Sequence, residues 1–523
     1  MKHTLVKSAL FLACFFLFFS CNEENNNNYL QEIAFDSERI RMNVGDYKVL
    51  RLRTTPSDAI VDNIMWESTN QSAATVANGV VVAVRDGNTT IRARVGNLSA
   101  AVMITVGDRQ PNITPGENVE NAIARLPRDP NRGVGFSFWY EEDVHLLNPG
   151  IGWSYNWGTR PHENIEVLFR ELGHDFFPMV WSVLDDNAEA NIREFIARNP
   201  HIRYIQAFNE PNLIDQANMT PTQAAERWPR FRDLANDLGL KIVSPSLNWG
   251  TMPGYHNPIV WFDEFLAHPN VDLEDIYAIS IHSYIGSLAG FKSFIDMFRK
   301  YNRPIWMTEW CAWYNTSPAW QKSFMAQSIQ LMQADPMLTR HAWFIPRAGM
   351  PLDAPPYMQL IDRSWPPQLT PLGEVFVNLS SKDRTVWQPI DNHILAQTYS
   401  NTSASETEFF AGGRLVLGPP LRPTSDETGQ LELHNFIFGQ WVEYQIDVTR
   451  PVSSIRLRYA AFIDGVINVL LDGNIVVAVP LSATGSDDVW NTAAAGISLP
   501  QGRHTIRLQV VEGMVSLNWL KIE

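Results

Sequence analysis

The alternation of hydrophobic and polar residues divides the chain into three blocks. In the first block, residues 31–107, short alternating runs such as "AATVANGVVVAV" and "NTTIRARV" are separated by turn residues. Alternation with a period of two is typical of strands that bury one face, so this block predicts a β-sandwich. Residues 108–131 are rich in Pro and Asn and predict a linker.

The second block, residues 132–382, repeats a strand followed by a helix. Its eight short apolar runs lie at 133–138, 151–158, 175–181, 203–211, 241–247, 277–284, 304–310 and 341–346. Segments with helical spacing, such as "ENIEVLFREL" and "QKSFMAQSIQLMQAD", lie between runs, and "PLGEVFVNL" follows the eighth. Eight strand–helix units predict a TIM-like (β/α)8 barrel. A doubly wound open sheet is the alternative, but it rarely needs eight parallel strands, and the block has no Gly-rich phosphate turn.

The third block, residues 388–523, returns to short strands. Runs such as "WVEYQIDV", "INVLLDGNIVVAVPL" and "HTIRLQVV" predict a second β-sandwich, of the jelly-roll type. The chain is therefore expected to be multidomain, with a barrel between two β-sandwiches.

Residues 1–21 predict an export signal. Lys2 and Lys7 precede an apolar run that is too short to span a bilayer comfortably. Cys21 follows the small residue Ser20, which resembles the end of a bacterial lipoprotein signal and implies that Cys21 becomes the lipidated first residue. The polar residues 22–30 predict a tether. We therefore expect a lipid-anchored protein of the bacterial cell envelope, at the outer membrane and exposed at the surface, with plain secretion as the alternative.

Composition narrows the classes of partner. The formal net charge is −15 and no dense run of Lys or Arg occurs, which argues against a nucleic-acid partner. The 12 His are scattered and no His-Glu-x-x-His motif occurs, so we predict no metal site and no cofactor. The 18 Trp, 14 Tyr and 27 Phe suit the C–H faces of sugars as well as hydrophobic cores. We expect a monomer whose membrane contact is the lipid anchor alone.

Cysteine usage excludes an intramolecular disulfide. Cys14 lies within the predicted signal and Cys21 is expected to be acylated, which leaves Cys311 alone. Because no His or Asn partner accompanies Cys311 at suggestive spacing, we interpret it as a buried apolar residue rather than a nucleophile.

Two glutamates end predicted barrel strands. Glu210, in "QAFNEPNL", ends the fourth strand, and Glu309, in "IWMTEW", ends the seventh. In such a barrel the carboxyl ends of the strands form the floor of the active site. Two carboxylates across one barrel mouth are what glycoside hydrolysis requires, since one protonates the leaving oxygen and the other stabilises or attacks the anomeric carbon. A structural ion pair or turn residues are the alternative, and we favour catalysis because position and pairing agree.

Tryptophans and a tyrosine near the strand ends are candidate sugar contacts. Trp153, Tyr155 and Trp157 alternate along strand two and therefore share one face, which either lines the cleft or packs beneath the helices. Trp249 and Trp313 lie in loops beyond strand ends and are further candidates.

The ends of four other strands add polar and aromatic candidates. Trp181, Trp310 and Trp343 end strands three, seven and eight, where we expect stacking on a pyranose ring rather than core filling. His282 and Tyr284 end strand six, between the two carboxylates in strand order. A buried, hydrogen-bonded histidine would explain His282 equally well.

The barrel block resembles a known family of glycosidases. The segments "NPGIGWSYNWG", "FFPMVW", "IQAFNEPN", "IVSPSLNW", "ISIHSY" and "IWMTEW", in this order, resemble glycoside hydrolase family 128. The resemblance implies a retaining mechanism with Glu210 as acid/base and Glu309 as nucleophile, Asn209 on a sugar hydroxyl and Tyr284 donating to Glu309. It also implies an endo-β-1,3-glucanase of laminarin-like or curdlan-like polysaccharide. Cys311 stands where many relatives have Gly.

A different class of function is kept as the alternative. The chain would then be a non-catalytic surface glycan-binding lipoprotein whose barrel binds without cleaving. The intact pair of Glu210 and Glu309 separates the two hypotheses, because a barrel that has lost catalysis usually lacks one of them. Retention further predicts carboxyl groups about 5 to 5.5 Å apart.

The flanking blocks resemble accessory domains. Residues 65–93, "MWESTNQSAATVANGVVVAVRDGNTTIRA", resemble the bacterial Ig-like group 2 domain, which usually serves as a spacer. Segments such as "FGQWVEYQIDV" and "GRHTIRLQVVEGMVSLNWLKIE" resemble a family 6 carbohydrate-binding module over most of 394–523. Asp487 stands where that family often has a sugar-stacking Trp, and Gln397 replaces a Glu that commonly helps to bind a structural calcium. The resemblance therefore leaves two possibilities: the module binds sugar through another surface, or it only supports the barrel.

Overall fold

The computed structural model describes residues 30–523, except 36, 38, 43, 57–58, 60, 62, 108–113, 315 and 406–416. The predicted signal, the lipidation site Cys21 and the tether up to residue 29 lie outside the described residues. The chain divides into two compact units between residues 109 and 110. Among the helices described, none has the length and apolar composition needed to cross a bilayer.

The first unit is a β-sandwich, as predicted. Its strands are β1 (Glu32–Phe35), β2 (Arg39–Met42), β3 (Tyr47–Val49), β4 (Leu52–Thr55), β5 (Met65–Ser68), β6 (Ala74–Ala77), β7 (Val80–Ala83), β8 (Gly87–Val95) and β9 (Leu98–Val106). They form a sheet in the order β2-β9-β8-β5, a second sheet β3-β7-β6 and the pair β1-β4. Ile91, Val102 and Ile104 are fully buried, because a period of two turns every second side chain of β8 and β9 into the core.

The second unit begins with the barrel, whose eight strands all match predicted ones. They are β10 (Arg132–Gly135), β11 (Trp153–Tyr155), β12 (Asp175–Phe176), β13 (Tyr204–Gln206), β14 (Lys241–Val243), β15 (Ile276–Ser283), β16 (Ile305–Trp310) and β17 (Leu338–Trp343). They are parallel, in the order β12-β11-β10-β17-β16-β15-β14-β13. A parallel bridge between Met179 and Gln206 joins the two ends of this order. The TIM-like barrel is therefore confirmed.

Eight helices follow the strands. They are α1 (Glu141–Leu147), α2 (Glu163–Leu172), α3 (Asp186–Arg198), α4 (Pro221–Asp237), α5 (Pro258–Leu266), α6 (Leu288–Met297), α7 (Pro318–Ala334) and α8 (Pro371–Asn378). A capping box starts α4, where Thr220 accepts from the backbone N–H of Gln223 and the Gln223 side chain accepts from that of Thr220. Two helices, α1 and α5, were not among those predicted, because α1 has only two turns and α5, "PIVWFDEFL", is a nearly continuous apolar run without a helical stripe.

The C-terminal domain is the predicted second β-sandwich. Its strands are β18 (Gln388–Pro389), β19 (Ile394–Leu395), β20 (Asn401–Thr402), β21 (Leu421–Pro423), β22 (Leu431–Ile437), β23 (Trp441–Val448), β24 (Ser454–Ala461), β25 (Gly465–Leu471), β26 (Asn474–Leu481), β27 (Trp490–Gly496), β28 (Gly502–Glu512) and β29 (Met514–Ile522). One sheet has the order β18-β23-β28-β25-β26, with β20 paired to β23. The other has the order β21-β22-β29-β24-β27, with β19 paired to β29.

The barrel and the C-terminal sandwich share one hydrophobic core. Helices α7 and α8 pack against β21 and β22. Gln330 of α7 donates to the hydroxyl of Tyr399 at 2.9 Å and to the carbonyl oxygen of Pro419 at 3.1 Å. Arg132, fully buried at the start of β10, donates to three carbonyl oxygens of residues 376–380. The sandwich is thus packed onto the barrel rather than suspended from it.

The segment predicted as a linker lies along the C-terminal sandwich. Glu117 pairs with Arg456 at 2.9 Å and with His393 at 3.1 Å. Arg458 donates to the carbonyl oxygen of Thr114 at 2.8 Å. Residues 114–131 therefore fasten the sandwich at a second place.

Candidate active site

The two predicted carboxylates meet at the carboxyl end of the barrel. Glu210 follows β13 and Glu309 lies near the end of β16, and both side chains are buried. His282, at the end of β15, lies between them, with Nδ1 2.9 Å from Glu210 Oε1 and 3.6 Å from Glu309 Oε2. One ligand atom from each of the three residues lies within 4.8 Å of the other two. The barrel thus places two residues 99 positions apart in the chain at one point.

Glu309 is held by three donors. The Tyr155 hydroxyl and the Trp157 indole N–H donate to Oε1 at 2.8 and 2.7 Å, and the Tyr284 hydroxyl donates to Oε2. Burial and then the charge of Glu309 raise the pKa of both Tyr155 and Tyr284 well above the usual range, so both phenols keep their protons. The carboxylate of Glu309 is therefore held in place by three donors that keep their protons.

Glu210 is held through one oxygen only. Its Oε1 accepts from the Asn248 side-chain amide at 3.2 Å and faces His282 Nδ1. Among the described residues, none hydrogen-bonds its Oε2. Sequence reasoning missed Asn248, although it follows strand five in "SPSLNWG", at the strand-end position from which the other candidates were collected.

The imidazole of His282 is enclosed by negative charge. Burial alone lowers the pKa of His282, but the charges of Glu309 and Glu210 and the hydrogen bond to Glu210 outweigh it and raise the pKa above its usual value. With a proton on Nδ1, His282 would donate to Oε1 of Glu210, the same oxygen that accepts from Asn248. Nε2 is buried without a polar partner among the described residues.

Two residues of the site have a left-handed backbone. Glu210 has φ +44° and Trp157 has φ +61°, a region that non-glycine residues rarely adopt. Such a conformation costs on the order of 1 to 3 kcal/mol, and it persists where surrounding contacts fix it. Here those contacts include the hydrogen bonds that join Trp157 to Glu309 and Asn248 to Glu210.

Other predicted residues lie beside the site. The Asn209 amide N–H2 donates to Gln216 at 3.2 Å, and its Oδ1 is buried without a described partner. Trp181 lies at the rim with 37% of its surface exposed. Trp249 is more exposed and packs on Phe294.

Four predicted sugar contacts are wrong: Tyr155, which is fully buried and holds Glu309, and three tryptophans. Trp153 shares the inward face with Tyr155 but lies deeper, where it is fully buried against Phe177 and Trp306. Trp310 and Trp343 are also fully buried and contact each other edge-to-face at 4.5 Å. Because successive side chains of a strand alternate, the inward Glu309 requires Trp310 to point outward beneath the helices.

Cys311 is buried, as the sequence suggested, and burial followed by the charge of Glu309 raises the pKa of its thiol well above the usual value. The raised pKa leaves the thiol protonated and unreactive.

Metal binding can be assessed at two places. Glu210, His282 and Glu309 form the cluster among the described residues whose spacing would admit a metal ion. At the position of the structural calcium implied for the C-terminal sandwich, Gln397 donates its amide N–H2 to the carbonyl oxygen of Ala124 at 3.3 Å, and its Oε1 is buried without a described partner. The neighbouring Asn518, whose backbone carbonyl accepts from Ala396, donates its side-chain amide to Asp426 at 2.8 Å, and its Oδ1 is also buried without a described partner, so side-chain oxygens for a cation are present here.

Three family models match separate parts of the chain. Residues 135–376 match the glycosyl hydrolase catalytic core, and residues 30–106 match the bacterial Ig-like domain (group 2). Residues 419–522 match the carbohydrate-binding module of family 35, and a solved family 6 module from Clostridium stercorarium is 20% identical over 26% of this chain and 97% of that chain, with a TM-score of 0.22.

Solved and curated proteins are similar to the barrel. A family 128 (subgroup II) endo-β-1,3-glucanase from Pseudomonas viridiflava is 33% identical, with 48% of this chain and 98% of that chain covered and a TM-score of 0.44. The subgroup II endo-β-1,3-glucanase from Sorangium cellulosum is 28% identical over 47% of this chain and 97% of that chain, with a TM-score of 0.43. Alkali-sensitive linkage protein 1 of Schizosaccharomyces pombe is 22% identical over 263 residues, 48% of this chain. The chain spans 43% of the length of that curated relative.

Proposed function

The chain belongs to glycoside hydrolase family 128, and on that premise we propose that it is a retaining endo-β-1,3-glucanase of laminarin-like or curdlan-like polysaccharide. The observation that carries the proposal is the buried pair of Glu210 and Glu309, with carboxylate oxygens within 4.8 Å of each other. Retaining enzymes hold the two carboxyl groups about 5 to 5.5 Å apart, and inverting enzymes about 6.5 to 9.5 Å apart. The short spacing supports retention.

Glu309 is the nucleophile in this proposal. Both of its oxygens accept hydrogen bonds, from Tyr155 and Trp157 on one side and Tyr284 on the other. A nucleophile must be ionised at neutral pH, and charge-assisted donors of this kind are about twice as strong as neutral hydrogen bonds. The same donors fix the direction from which the carboxylate approaches the sugar.

Glu210 is the acid/base. Its Oε1 is occupied by Asn248 and His282, and its Oε2 is left for a proton and the glycosidic oxygen. His282, placed between both glutamates, positions Glu210 and responds to the charge on Glu309. When Glu309 becomes an ester, its charge, the larger of the two that raise the pKa of His282, is removed, while Glu210 gives up its proton and becomes charged.

The proposed reaction has two steps. In the first, Glu309 attacks the anomeric carbon, the bond from that carbon to the leaving oxygen breaks, and Glu210 transfers its proton to the leaving oxygen. In the second, Glu210 takes a proton from water as the water oxygen attacks the same carbon, and the ester bond to Glu309 breaks. The product keeps its β configuration and Glu210 regains its proton.

The substrate assignment is supported by the two subgroup II enzymes, whose activity is endo-β-1,3-glucan cleavage. Purified protein should release reducing ends from laminarin and curdlan and give a ladder of oligosaccharides. Proton NMR of early time points should show the β-anomer first. Binding without product, unchanged in Glu309→Ala, would favour the non-catalytic glycan-binding alternative instead.

We also propose attachment to the bacterial envelope through Cys21, which lies outside the described residues. Cells grown with a radiolabelled fatty acid should label the full chain and should not label Cys21→Ser.

A further inference from the structure

Three large aromatic side chains are exposed on the face of the barrel that carries the carboxylates. Trp139 is 65% exposed, Tyr140 54% and Trp365 67%. Trp139 and Tyr140 lie between β10 and α1, and Trp365 lies between β17 and α8. Both segments leave the carboxyl ends of barrel strands, so the three rings lie on the active-site side. We name this group the aromatic platform.

The aromatic platform is held in place. The rings of Trp139 and His162 have centroids 3.7 Å apart, and those of Tyr140 and Trp365 are 5.6 Å apart. Beneath them, Arg347 donates to both oxygens of the buried Asp143 at 2.6 and 2.8 Å. This bidentate pair ties the segment that carries Trp365 to α1. The rings are therefore presented to solvent by a fixed support rather than by a free loop.

The segments that support the platform are connected along the chain to residues of the catalytic site. Trp157, which donates to Glu309, begins the short segment that leads to His162 beneath Trp139. Phe344 packs on Trp157 at 6.0 Å and begins the segment that carries Trp365. Both supports of the platform thus start from residues at the floor of the site.

We propose that the aromatic platform is a distal subsite that binds sugar units of a neutral β-linked glucan extending from the catalytic mouth. Exposed indole and phenol rings fit the C–H faces of pyranoses. Glu141 and Glu142 follow Tyr140 and are exposed, so they repel uronate-bearing or sulfated chains. The inference rests on the proposed function, because the chain must reach Glu210 and Glu309 for the platform to lie on its path.

The first test compares long and short substrates. The double variant Trp139→Ala/Trp365→Ala is measured on laminarin and on laminaritriose, with Tyr47→Ala as the control because Tyr47 is equally exposed on the first unit. Stacking on two rings predicts that the ratio of kcat/KM on laminarin to that on laminaritriose falls at least about tenfold. Trp139→Tyr/Trp365→Tyr should restore most of it. An unchanged ratio, as in Tyr47→Ala, overturns the proposal.

The second test separates binding from cleavage. Glu309→Gln with and without the two Ala substitutions is run on native gels containing laminarin, so that any contribution of the C-terminal module is the same in both. The platform predicts less retardation when the rings are removed, and equal retardation overturns it. If the wild type releases no product but the retardation differs, the proposed function fails and the subsite stands. If product is released and neither test distinguishes the variants, the subsite alone fails.

Discussion

The two carboxylates should respond differently to the same isosteric change, because they accept different numbers of hydrogen bonds. In Glu210→Gln, the remaining oxygen can still accept from Asn248 and His282, and the new N–H2 takes the position of Oε2, which no described residue contacts. In Glu309→Gln, one oxygen can still accept from Tyr155 and Trp157, but the new N–H2 faces the Tyr284 hydroxyl, which donates in the wild type. Glu210→Gln therefore preserves its site and Glu309→Gln does not.

The structure gives the size of this difference. In Glu309→Gln a buried donor loses its acceptor, which costs about 1 to 3 kcal/mol, and the charge that strengthened the other two bonds is gone. In Glu210→Gln every donor that the glutamate serves keeps its acceptor, so we expect a smaller loss of the free energy of unfolding than in Glu309→Gln. Activity should behave differently. Loss of the proton donor lowers turnover of laminarin by roughly 100- to 10,000-fold in Glu210→Gln, and loss of the nucleophile abolishes it in Glu309→Gln.

Calorimetry and kinetics on the same preparations test both parts. The melting transition that contains the barrel is compared among wild type, Glu210→Gln and Glu309→Gln at one pH. Aryl glucosides with a good leaving group need no proton in the first step, so Glu210→Gln should retain far more of its kcat/KM on them than on laminarin, while kcat stays limited by the second step, which needs the base. A Glu210→Gln protein that melts lower than Glu309→Gln, or that cleaves laminarin at the wild-type rate, would refute the assignment of roles.

Three further predictions follow from named contacts. The folded-state pKa of His282 lies above its unfolded value near 6.5, so His282 stabilises the fold below pH 6.5, and this contribution is lost as the pH rises through the folded-state pKa. In unfolding curves measured against pH, the stability advantage of wild type over His282→Gln should therefore shrink over that range. A difference that stays constant with pH would contradict the pKa shift. Zn²⁺ or Cu²⁺ should inhibit glucan cleavage by binding Glu210, His282 and Glu309, and EDTA should restore the rate. If the residual activity of Glu210→Gln is inhibited to the same extent, the metal binds elsewhere. Trp343 is fully buried, so Trp343→Ala should lower the free energy of unfolding by about 3 to 5 kcal/mol. Trp181 is exposed at the rim, so Trp181→Ala should leave that free energy nearly unchanged and raise KM. The opposite pattern would show that Trp343, and not Trp181, contacts the sugar.

The sequence was sufficient for the architecture because each strand of the barrel is a short apolar run between polar segments. Glu210 and Glu309 could be paired because parallel strands bring their carboxyl ends to one side. Trp310 was wrongly predicted as a sugar contact because it lies at a strand end. The alternation of side chains along a strand already places Trp310 on the face opposite to Glu309. The left-handed backbone of Glu210 and Trp157 leaves no mark in a pattern of hydrophobic positions, since contacts from distant segments impose it. Asn248, by contrast, does carry a signal in the sequence, because it follows strand five in "SPSLNWG".

The merged interior of barrel and C-terminal sandwich has a consequence for how this protein can be taken apart. Removing everything after residue 382 would strip Gln330 of its acceptors at Tyr399 and Pro419 and expose the sides of α7 and α8 to water. The barrel is therefore not expected to fold stably without the C-terminal sandwich, and the two should unfold in a single transition. Because the shared core fixes the orientation of the sandwich relative to the barrel, any glycan bound to the sandwich would be presented to the active site in one constant orientation.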